Sequence, residues 1–448
     1  MSAHVLRYRY LGAANPVNLY GGTVYLMDYA PLEGEPGATE VTEPVSLQFT
    51  GSSRLADFQA LQAALYAAYC YKMSGGREGY RVLVEFQPGG SGDFYRSELL
   101  GGPAALDPAW LHGRWSNQIV DVTIQWTRAN YWDVKDVVEL ALTNGHGTAV
   151  TGGIQVDNHD DAGHDNWVTI PSTQALGSLP SPIFLSLENT YNVAANAYLI
   201  YAGMYTSYDG VMPARFLEGE DATGATETDD ANSSNGHLGR VTWAGDTSAL
   251  RLRWTLAAAL LACDHKRDVL LLGRFPASPS GIQLQAKLSF PVGASPADLV
   301  EAEEIIATAD ALQPIGSLQL GPWASGLVGT MATMYLDLHG QKTGGATLDL
   351  DFLEALPLDS WRIYEPSTRG LLYGDILKDD PDTGLAYVNH VSGFTGYSGL
   401  YSALGGPLLL QPGYSQRLYL LASNDAAASE TVRTFTLRAY YRTRKRTI

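Results

Sequence analysis

The feature that most constrains the fold is an alternation of apolar and polar side chains over residues 119–128, which read IVDVTIQWTR. Successive side chains of a β-strand point to opposite faces, so a period of two predicts a strand with one buried face. Shorter alternations recur at residues 45–49, 347–353 and 433–440. Tyr, Gly and Pro are abundant, at 26, 47 and 22 residues, as expected for short strands joined by tight turns. The sequence therefore predicts an all-β protein.

One segment near the N-terminus departs from this pattern and predicts a single helix over residues 53–73. Its apolar residues fall on one helical face, and they are Leu55, Phe58, Leu61, Leu65 and Tyr69. Ser53 is a good N-cap, and the glycines at 75 and 76 favour a helix end there. Cys70 lies in the apolar run 67–71, so we expect a buried, inert thiol.

The length of 448 residues suits about three domains of roughly 150 residues each. We expect residues 1–133 to form a sheet domain that contains the helix. Residues 134–312 and 313–448 are expected to form two successive jelly-roll-like β-sandwiches. Residues 296–312 are the expected connector, and their Glu-rich sequence is compatible with a short helix or with a strand.

The net charge and the cysteine content indicate which partners and which cellular compartment to expect. The formal net charge is −18, which disfavours binding to a phosphate backbone, so we expect no nucleic-acid partner. No stretch reaches the roughly 18 apolar residues of a membrane span, and the first residues do not resemble a signal peptide. Two cysteines give no disulfide framework. We therefore expect synthesis in a reducing cytoplasm without membrane insertion.

The candidate ligand site is the acidic segment around Glu218, Glu220 and Asp221. Carboxylates at the end of a strand beside a Gly/Ser-rich loop suit calcium, which takes six to eight oxygen ligands. The segment is also similar to the acidic opening strand of some carbohydrate-binding sandwich modules. The structural interpretation is a solvated strand edge, and it is favoured because such segments are common in acidic proteins.

Two other acidic segments are better explained as turns. Residues 157–166 combine Asp, Asn and His around a central Ala-Gly pair, which is typical of a hairpin tip, although a metal site is the alternative. Residues 378–384, which read KDDPDTG, lack the spacing of a helix-loop-helix calcium site and predict a turn between two strands. The basic C-terminal segment 442–446 is predicted either to bind an acidic patch on a neighbouring subunit or to fray.

No catalytic motif is evident, so we expect a protein that is not an enzyme and has no cofactor. The chain lacks a Gly-x-Ser-x-Gly elbow and a phosphate-binding glycine loop, and its nine histidines are scattered. A glycoside hydrolase with paired carboxylates stays open as a third hypothesis, because such pairs meet only in space. Trp243, Trp254 and Trp323 either stack on sugars or fill the core, and the core is favoured.

The segments YRSELLGG (95–102) and IVDVTIQWTRANYW (119–132) resemble distal tail and minor tail proteins of long-tailed bacteriophages. In that family a tube-like domain ends in a strand followed by an Arg and then an aromatic pair. One or more galectin-like or jelly-roll sandwiches follow it, and residues 134–448 look similar in kind. The N-terminal third carries the most specific part of the resemblance.

The resemblance implies a virion tail protein in a homo-oligomeric ring, commonly six-fold, which docks tail-tube and hub proteins in the baseplate. It assigns no single functional residue. Long strands that carry Trp, Tyr and Arg are also expected to provide contact surface, because these residues dominate binding hot spots. The second hypothesis is a carbohydrate-binding sandwich protein that contacts host-surface glycans. A ring in solution favours the first, and a monomer that binds glycans favours the second.

Overall fold

The computed structural model describes residues 4–10, 16–19, 21, 24–35, 37–74, 81–100, 119–144, 149–150, 152–157, 165–190, 200–207, 216–256, 267–292, 295–308, 311–320, 334–358, 360–365, 370–382, 384–389, 400–422 and 434–448. Strands form nearly all of the regular structure in these residues, and they pair antiparallel. This confirms the all-β fold class.

The first part of the chain, together with one strand from the last residues, makes the N-terminal unit (residues 4–134 and 444–445). Its elements are β1 (Val5–Tyr10), β2 (Val17–Asn18), β3 (Val24–Asp28), β4 (Glu40–Thr50), α1 (Arg54–Ser74), β5 (Val82–Gln87), β6 (Tyr95–Glu98), β7 (Ile119–Ala129) and β8 (Trp132–Val134). One sheet runs β2-β1-β5-β6-β8, and the other runs β3-β4-β7. The two sheets and α1 enclose a core that contains Phe49, Trp126 and Trp132.

The residues expected to provide contact surface on β7 lie inside this core. Trp126 and Arg128 have the same parity along the strand as Val122 and Ile124, so all four face inward. The guanidinium of Arg128 donates from Nε to Glu43 Oε1 at 2.7 Å, and both side chains are fully buried. Trp126 and Arg128 are therefore core residues of the N-terminal unit.

The predicted helix is confirmed as α1. Ser53 Oγ contacts Asp57 Oδ2 at 2.9 Å at its start. The buried side chains are Phe58, Leu61, Leu65 and Ala68, which follow helical spacing. Cys70 is exposed, which corrects the expectation of a buried thiol. It lies two residues after Ala68, so the helical rotation carries it away from the buried face.

The middle of the chain supplies two groups of strands. The first group is β9 (Val138–Glu139), β10 (Ala149–Val150), β11 (Gly153–Asp157), β12 (Trp167–Ile170), β13 (Ser181–Asn189) and β14 (Ile200–Thr206). The second group is β15 (Phe216–Glu218), β16 (Thr226–Asp229), β17 (His237–Trp243), β18 (Ala249–Leu256), β19 (Arg267–Arg274), β20 (Gln283–Val292), β21 (Ser295–Glu301), β22 (Ile305–Ile306), β23 (Leu312–Leu320), β24 (Met334–Gln341), β25 (Ala346–Leu350) and β26 (Phe352–Pro357).

The last group of strands pairs with strands of the first group. Its members are β27 (Ser360–Glu365), β28 (Ile376–Asp380), β29 (Leu385–Asn389), β30 (Leu400–Gly405), β31 (Leu409–Leu410), β32 (Gln416–Ala422), β33 (Thr434–Tyr441) and β34 (Arg444–Lys445). The strands of the first sandwich follow one continuous path, β10-β11-β33-β13-β28-β29-β30-β27-β14-β32-β12, because β29 pairs with β30. We call the part from β10 to β29 the outer sheet and the part from β30 to β12 the inner sheet. One core cluster fills the space between them.

The second sandwich consists of residues 216–357. Its inner sheet runs β15-β26-β19-β23, and its outer layer consists of β18-β24-β20-β21 and β16-β17-β25. Residues of both layers share one core cluster. The segment 295–306, for which a helix or a strand was expected, forms β21 and β22.

Strand pairing divides residues 134–448 differently from the expected boundary at 312/313. The first sandwich combines 138–206 with 360–441, and the second sandwich is inserted between β14 and β27. The alternation in the sequence locates strands, but it does not say which strands pair. A boundary drawn from consecutive strand groups therefore falls inside the inserted sandwich.

The two sandwiches share a third core where their inner sheets face each other. It contains Tyr201 and Tyr419 of the first sandwich and Leu272, Phe352 and Leu356 of the second. Consequently β14 and β26 are buried on both faces. The Oη of Tyr201 also donates to the carbonyl of Pro357 across this contact.

The C-terminal segment is neither frayed nor projecting. β34 pairs with β8, so the sheet of the N-terminal unit gains a sixth strand. Arg444 donates to both carboxylate oxygens of Asp133, at 2.7 and 3.1 Å. The predicted acidic target of this segment therefore lies in the same chain.

Candidate functional site

The acidic segment singled out from the sequence lies at the end of β15. Glu218 Oε1 accepts hydrogen bonds from Ser234 Oγ and Asn235 Nδ2, both at 2.9 Å. Burial and the neighbouring carboxylate of Glu220 raise the pKa of Glu218 to about 8. Glu218 therefore keeps its proton at neutral pH and braces the loop that precedes β17.

The other two candidates contribute less to a ligand site. Burial, followed by the charge of Asp221, raises the pKa of Glu220, whereas the side chain of Asp221 is exposed. Within the described residues, no three His, Cys, Asp or Glu side chains lie close enough to hold one metal ion. Of the three candidates, Glu218 thus has a described role, since it accepts hydrogen bonds from Ser234 and Asn235 in the loop before β17.

The tryptophans considered for sugar stacking are core residues where they are described. Trp243 and Trp254 are 8% and 3% exposed, and both belong to the core of the second sandwich. Trp254 Nε1 donates to the carbonyl of Glu218 at 2.7 Å. Trp323 lies outside the described residues.

The segment 157–166 is only partly described, since residues 158–164 lie outside the described ranges. Asp165 and Asn166 are buried, at 2% and 0% exposure. Asn166 Nδ2 donates to Glu354 Oε2 at 2.8 Å, which connects the two sandwiches. Asn166 therefore supports packing between the two sandwiches.

The segment 378–384 joins β28 to β29 and contains a site that the sequence did not reveal. Asp382 donates its backbone N–H to Asp380 Oδ1 at 2.8 Å, as in the predicted turn. Its side chain reaches the N-terminal unit, where Arg96 Nη2 approaches Asp382 Oδ2 to 2.6 Å. Arg442 and Arg81 approach the same carboxylate to 3.3 and 3.9 Å.

The charge environment of Asp382 favours its ionised form. Burial opposes ionisation, but the nearby guanidiniums of Arg96, Arg442 and Arg81 outweigh it and hold the pKa of Asp382 below its usual range. Arg81 also donates to the carbonyl oxygens of Pro381 and Asp382, at 3.3 and 3.0 Å. Asp382 is therefore the electrostatic link between the first sandwich and the N-terminal unit.

A cavity of about 640 Å³, the junction cavity, opens between these two parts of the molecule. Its charged lining comprises four arginines and three carboxylates: Arg81, Arg362, Arg442, Arg444, Glu98, Asp133 and Asp382. Tyr131, Phe184 and Pro182 are among its less polar walls. The guanidinium carbon of Arg444 lies 3.6 Å from the ring centre of Tyr131.

A second depression of about 440 Å³, the sheet groove, lies on the outward face of the outer sheet of the first sandwich. Phe184 lines both depressions, so they adjoin. The groove presents the aromatic rings of Phe184, Tyr387 and Tyr440. Its charged lining comprises the cations Lys378 and Arg438 and the carboxylates Glu188, Asp379 and Asp380. The arrangement offers flat rings beside charged hydrogen-bonding groups.

No helix in the described part of the chain has the length and apolar character of a membrane span. No family model matches the sequence. No curated protein matches it either.

Two solved structures show distant similarity. One is a structure of infectious bursal disease virus, Gx strain, with 11% identity, a TM-score of 0.19 and coverage of 68% of this chain and 77% of that chain. The other is a Paenibacillus xanthan lyase, with 11% identity, a TM-score of 0.23 and coverage of 98% of this chain and 50% of that chain. At these TM-scores neither likeness supports a conclusion about fold or function.

Proposed function

We propose that the chain is a non-enzymatic structural subunit of a phage tail tip or baseplate, which forms a homo-oligomeric ring through its N-terminal unit. The observation that carries this proposal is the outward face of α1. Its exposed residues are all uncharged, and they are Leu55, Ala56, Gln59, Ala60, Ala63, Tyr66, Ala67 and Cys70. A helix that faces water normally bears charged residues on that side, so this face suits contact with a protein surface.

A second uncharged face lies on the other side of the N-terminal unit. The outward side chains of β4 from residue 42 to 48 and of β7 from residue 123 to 127 are Thr, Pro, Ser and Gln. Thr42 and Thr127 contact each other through their hydroxyl oxygens at 2.8 Å, and Ser46 and Thr123 do so at 3.2 Å. Two different faces on one unit permit head-to-tail contacts, which close into rings when the rotation allows.

In this proposal the two sandwiches form one outward body attached to the ring. Their shared core and the Asp382 link to the N-terminal unit would hold that body in place. Tail-tube and hub proteins would dock on the ring, and the assembled protein would reside in the virion tail.

The proposal is tested by changing the face of α1 without changing the fold. Ala63→Glu places a charge on the exposed face, and Ala244→Glu, in an exposed turn of the second sandwich, is the matched control. We expect the unmodified chain to give a multimeric mass by light scattering and rings by negative-stain microscopy. Ala63→Glu should dissociate them, and Ala244→Glu should not.

A monomeric mass for the unmodified chain at about 50 μM, well above the micromolar dissociation constants of weak assemblies, would contradict the ring. Equal assembly of the Ala63→Glu and Ala244→Glu variants would show that α1 is not the contact. The carbohydrate-binding alternative is favoured by a different observation, the sheet groove with Tyr387, Tyr440 and Lys378.

A further inference from the structure

The junction cavity contains more positive charge than its carboxylates balance. Three of its arginines each have a carboxylate: Arg444 with Asp133, Arg81 with Glu98, and Arg362 with Asp379. The remaining one, Arg442, shares Asp382 at 3.3 Å with Arg96, which holds it at 2.6 Å. The Nε of Arg442 is buried and has no hydrogen-bond partner among the described residues, so the charge of this guanidinium is only partly compensated. The Arg442 side chain as a whole is 14% exposed and lines the cavity, so an anion in the cavity can approach the guanidinium.

The walls beside Arg442 favour a ligand with flat apolar faces. The guanidinium carbon of Arg442 lies 5.5 Å from the ring centre of Phe184, and Tyr131 lines the same cavity. Aromatic rings of this kind supply large contact area, and the Tyr hydroxyl adds a polar group at the ring edge. Glu98 and Asp133 place acceptor oxygens within the same cavity. A pyranose ring offers the matching set of C–H faces and hydroxyl donors.

The binding surface continues from the cavity onto the sheet groove. Phe184 is paired in register with Tyr440, and Lys378 is paired with Tyr387. Ser186 lies between Arg438 and Lys378 in the same row of outward side chains. Rings and hydrogen-bonding groups thus follow one another over three or more strands, which suits a chain of several units.

The groove does not favour an extended peptide. β13, β28 and β33 are each paired with strands on both sides, so their backbone groups are already hydrogen-bonded. Strand addition needs a free sheet edge, and here only side chains face the ligand. A polyanion with a charge on every unit is also disfavoured. Glu98, Asp133 and Asp382 surround the arginines of the cavity, further carboxylates line the groove, and the chain has a net charge of −18.

We propose that the junction cavity and the sheet groove together bind a linear saccharide in which one acidic sugar is flanked by neutral sugars. The carboxylate of the acidic sugar lies on Arg442, and the neutral sugars lie against Phe184, Tyr387 and Tyr440. This deepens the carbohydrate-binding alternative and is independent of ring formation. The carboxylate adds an anionic partner for the guanidinium of Arg442, and the aromatic rings contact the pyranose faces.

The test is calorimetric titration of the full chain with linear tetrasaccharides of glucose in which one residue is replaced by glucuronate, galacturonate or mannuronate. Each titration is repeated with the methyl ester of the same tetramer, which removes the charge and keeps the sugar. We expect at least one acid to bind about tenfold more tightly than its ester, as suits loss of a charge-assisted hydrogen bond. Arg442→Gln should abolish that difference, and Arg54→Gln, on α1, should leave it unchanged.

A second variant separates binding from folding. Tyr387 lies in the sheet groove, away from the ion pairs of the junction cavity. Tyr387→Ala should therefore weaken the binding of both the acid and the ester by a similar factor of about five to tenfold. Equal binding of acids and esters, or no binding of any tetramer up to about 1 mM, would overturn the proposal. Binding of a tetraglutamate peptide as tight as that of the best saccharide would also overturn it, in favour of unselective anion binding.

Discussion

Glu218 is a partly buried carboxyl group near other acidic side chains, and these surroundings raise its pKa. Ser234 and Asn235 donate to one oxygen, while Glu220, Asp351 and Asp221 oppose the negative charge. Its pKa of about 8 in the folded protein lies above the ordinary value of 4.5. Between pH 4.5 and about 8, Glu218 is protonated in the folded protein but ionised in the unfolded chain. The free energy of unfolding therefore falls as the pH rises through this range.

Glu218→Gln is expected to remove this pH dependence, because the amide keeps an acceptor oxygen and has no charge to bury. The variant should be more stable than the parent chain at pH 9 by on the order of 2 kcal/mol, and this advantage should shrink towards pH 5. Urea unfolding at several pH values measures it. A constant difference across the range would contradict the raised pKa.

At the same scale, the sequence located Glu218, Glu220 and Asp221 as a cluster because these residues are neighbours in the chain. It could not reveal the role of Asp382. Its partners Arg96 and Arg442 belong to strands and linkers that meet only after folding, and each is an unremarkable arginine in its own segment. Long-range ion pairs of this kind leave no periodic signal.

Among the strands, β34 has only two residues but makes several contacts that stabilise the N-terminal unit. It completes the sheet beside β8, and the backbone N–H of Val134 donates to the carbonyl of Thr443 at 2.9 Å. Arg444 adds a bidentate ion pair with Asp133, and its guanidinium lies against the ring of Tyr131. The side chains of Arg444 and Asp133 are 14% and 9% exposed, so little water screens this pair.

Arg444→Met is expected to destabilise the N-terminal unit by about 2–4 kcal/mol, because Asp133 is left buried without its partner. Arg446→Met is the matched control, since Arg446 lies 3.6 Å from the half-exposed Glu33, and it should cost less than about 1 kcal/mol. Hydrogen exchange of the β6 and β8 amides measures the local effect. Equal protection in the two variants would show that β34 contributes little.

The elements themselves were largely predictable from the sequence, whereas their partners were not. α1 and the long strands β4 and β7 follow directly from apolar spacings of about 3.6 and 2 residues. The segment of β21 was ambiguous because Ala, Asp and Glu suit both helix and strand edges. The insertion of the second sandwich depends on pairing across long sequence separations, which local patterns do not encode.

On the scale of the whole molecule, the two sandwiches behave as one packed body. Phe352 and Leu356 of one and Tyr201 and Tyr419 of the other are at most 1% exposed in their common core. Burial of such side chains contributes roughly 1.5–3 kcal/mol each. Separation of the sandwiches would expose all of them together.

We therefore expect the two sandwiches to unfold in a single calorimetric transition. Leu272→Ala, in their shared core, should lower the midpoint of that transition without splitting it. The lost packing, about 2–5 kcal/mol of unfolding free energy, destabilises both sandwiches together. Differential scanning calorimetry measures this. Two separated transitions in the parent chain, with only one of them shifted by the variant, would contradict the coupling.

The return of residues 444–445 to the N-terminal sheet has a consequence for biosynthesis. Strands β1 to β8 leave the ribosome long before residue 445, so their sheet is incomplete until β34 has been synthesised. A chain that terminates early would present an incomplete edge beside β8. Translation through to that point thus becomes a condition for a fully closed N-terminal unit, and interrupted products would be distinguishable by the missing strand.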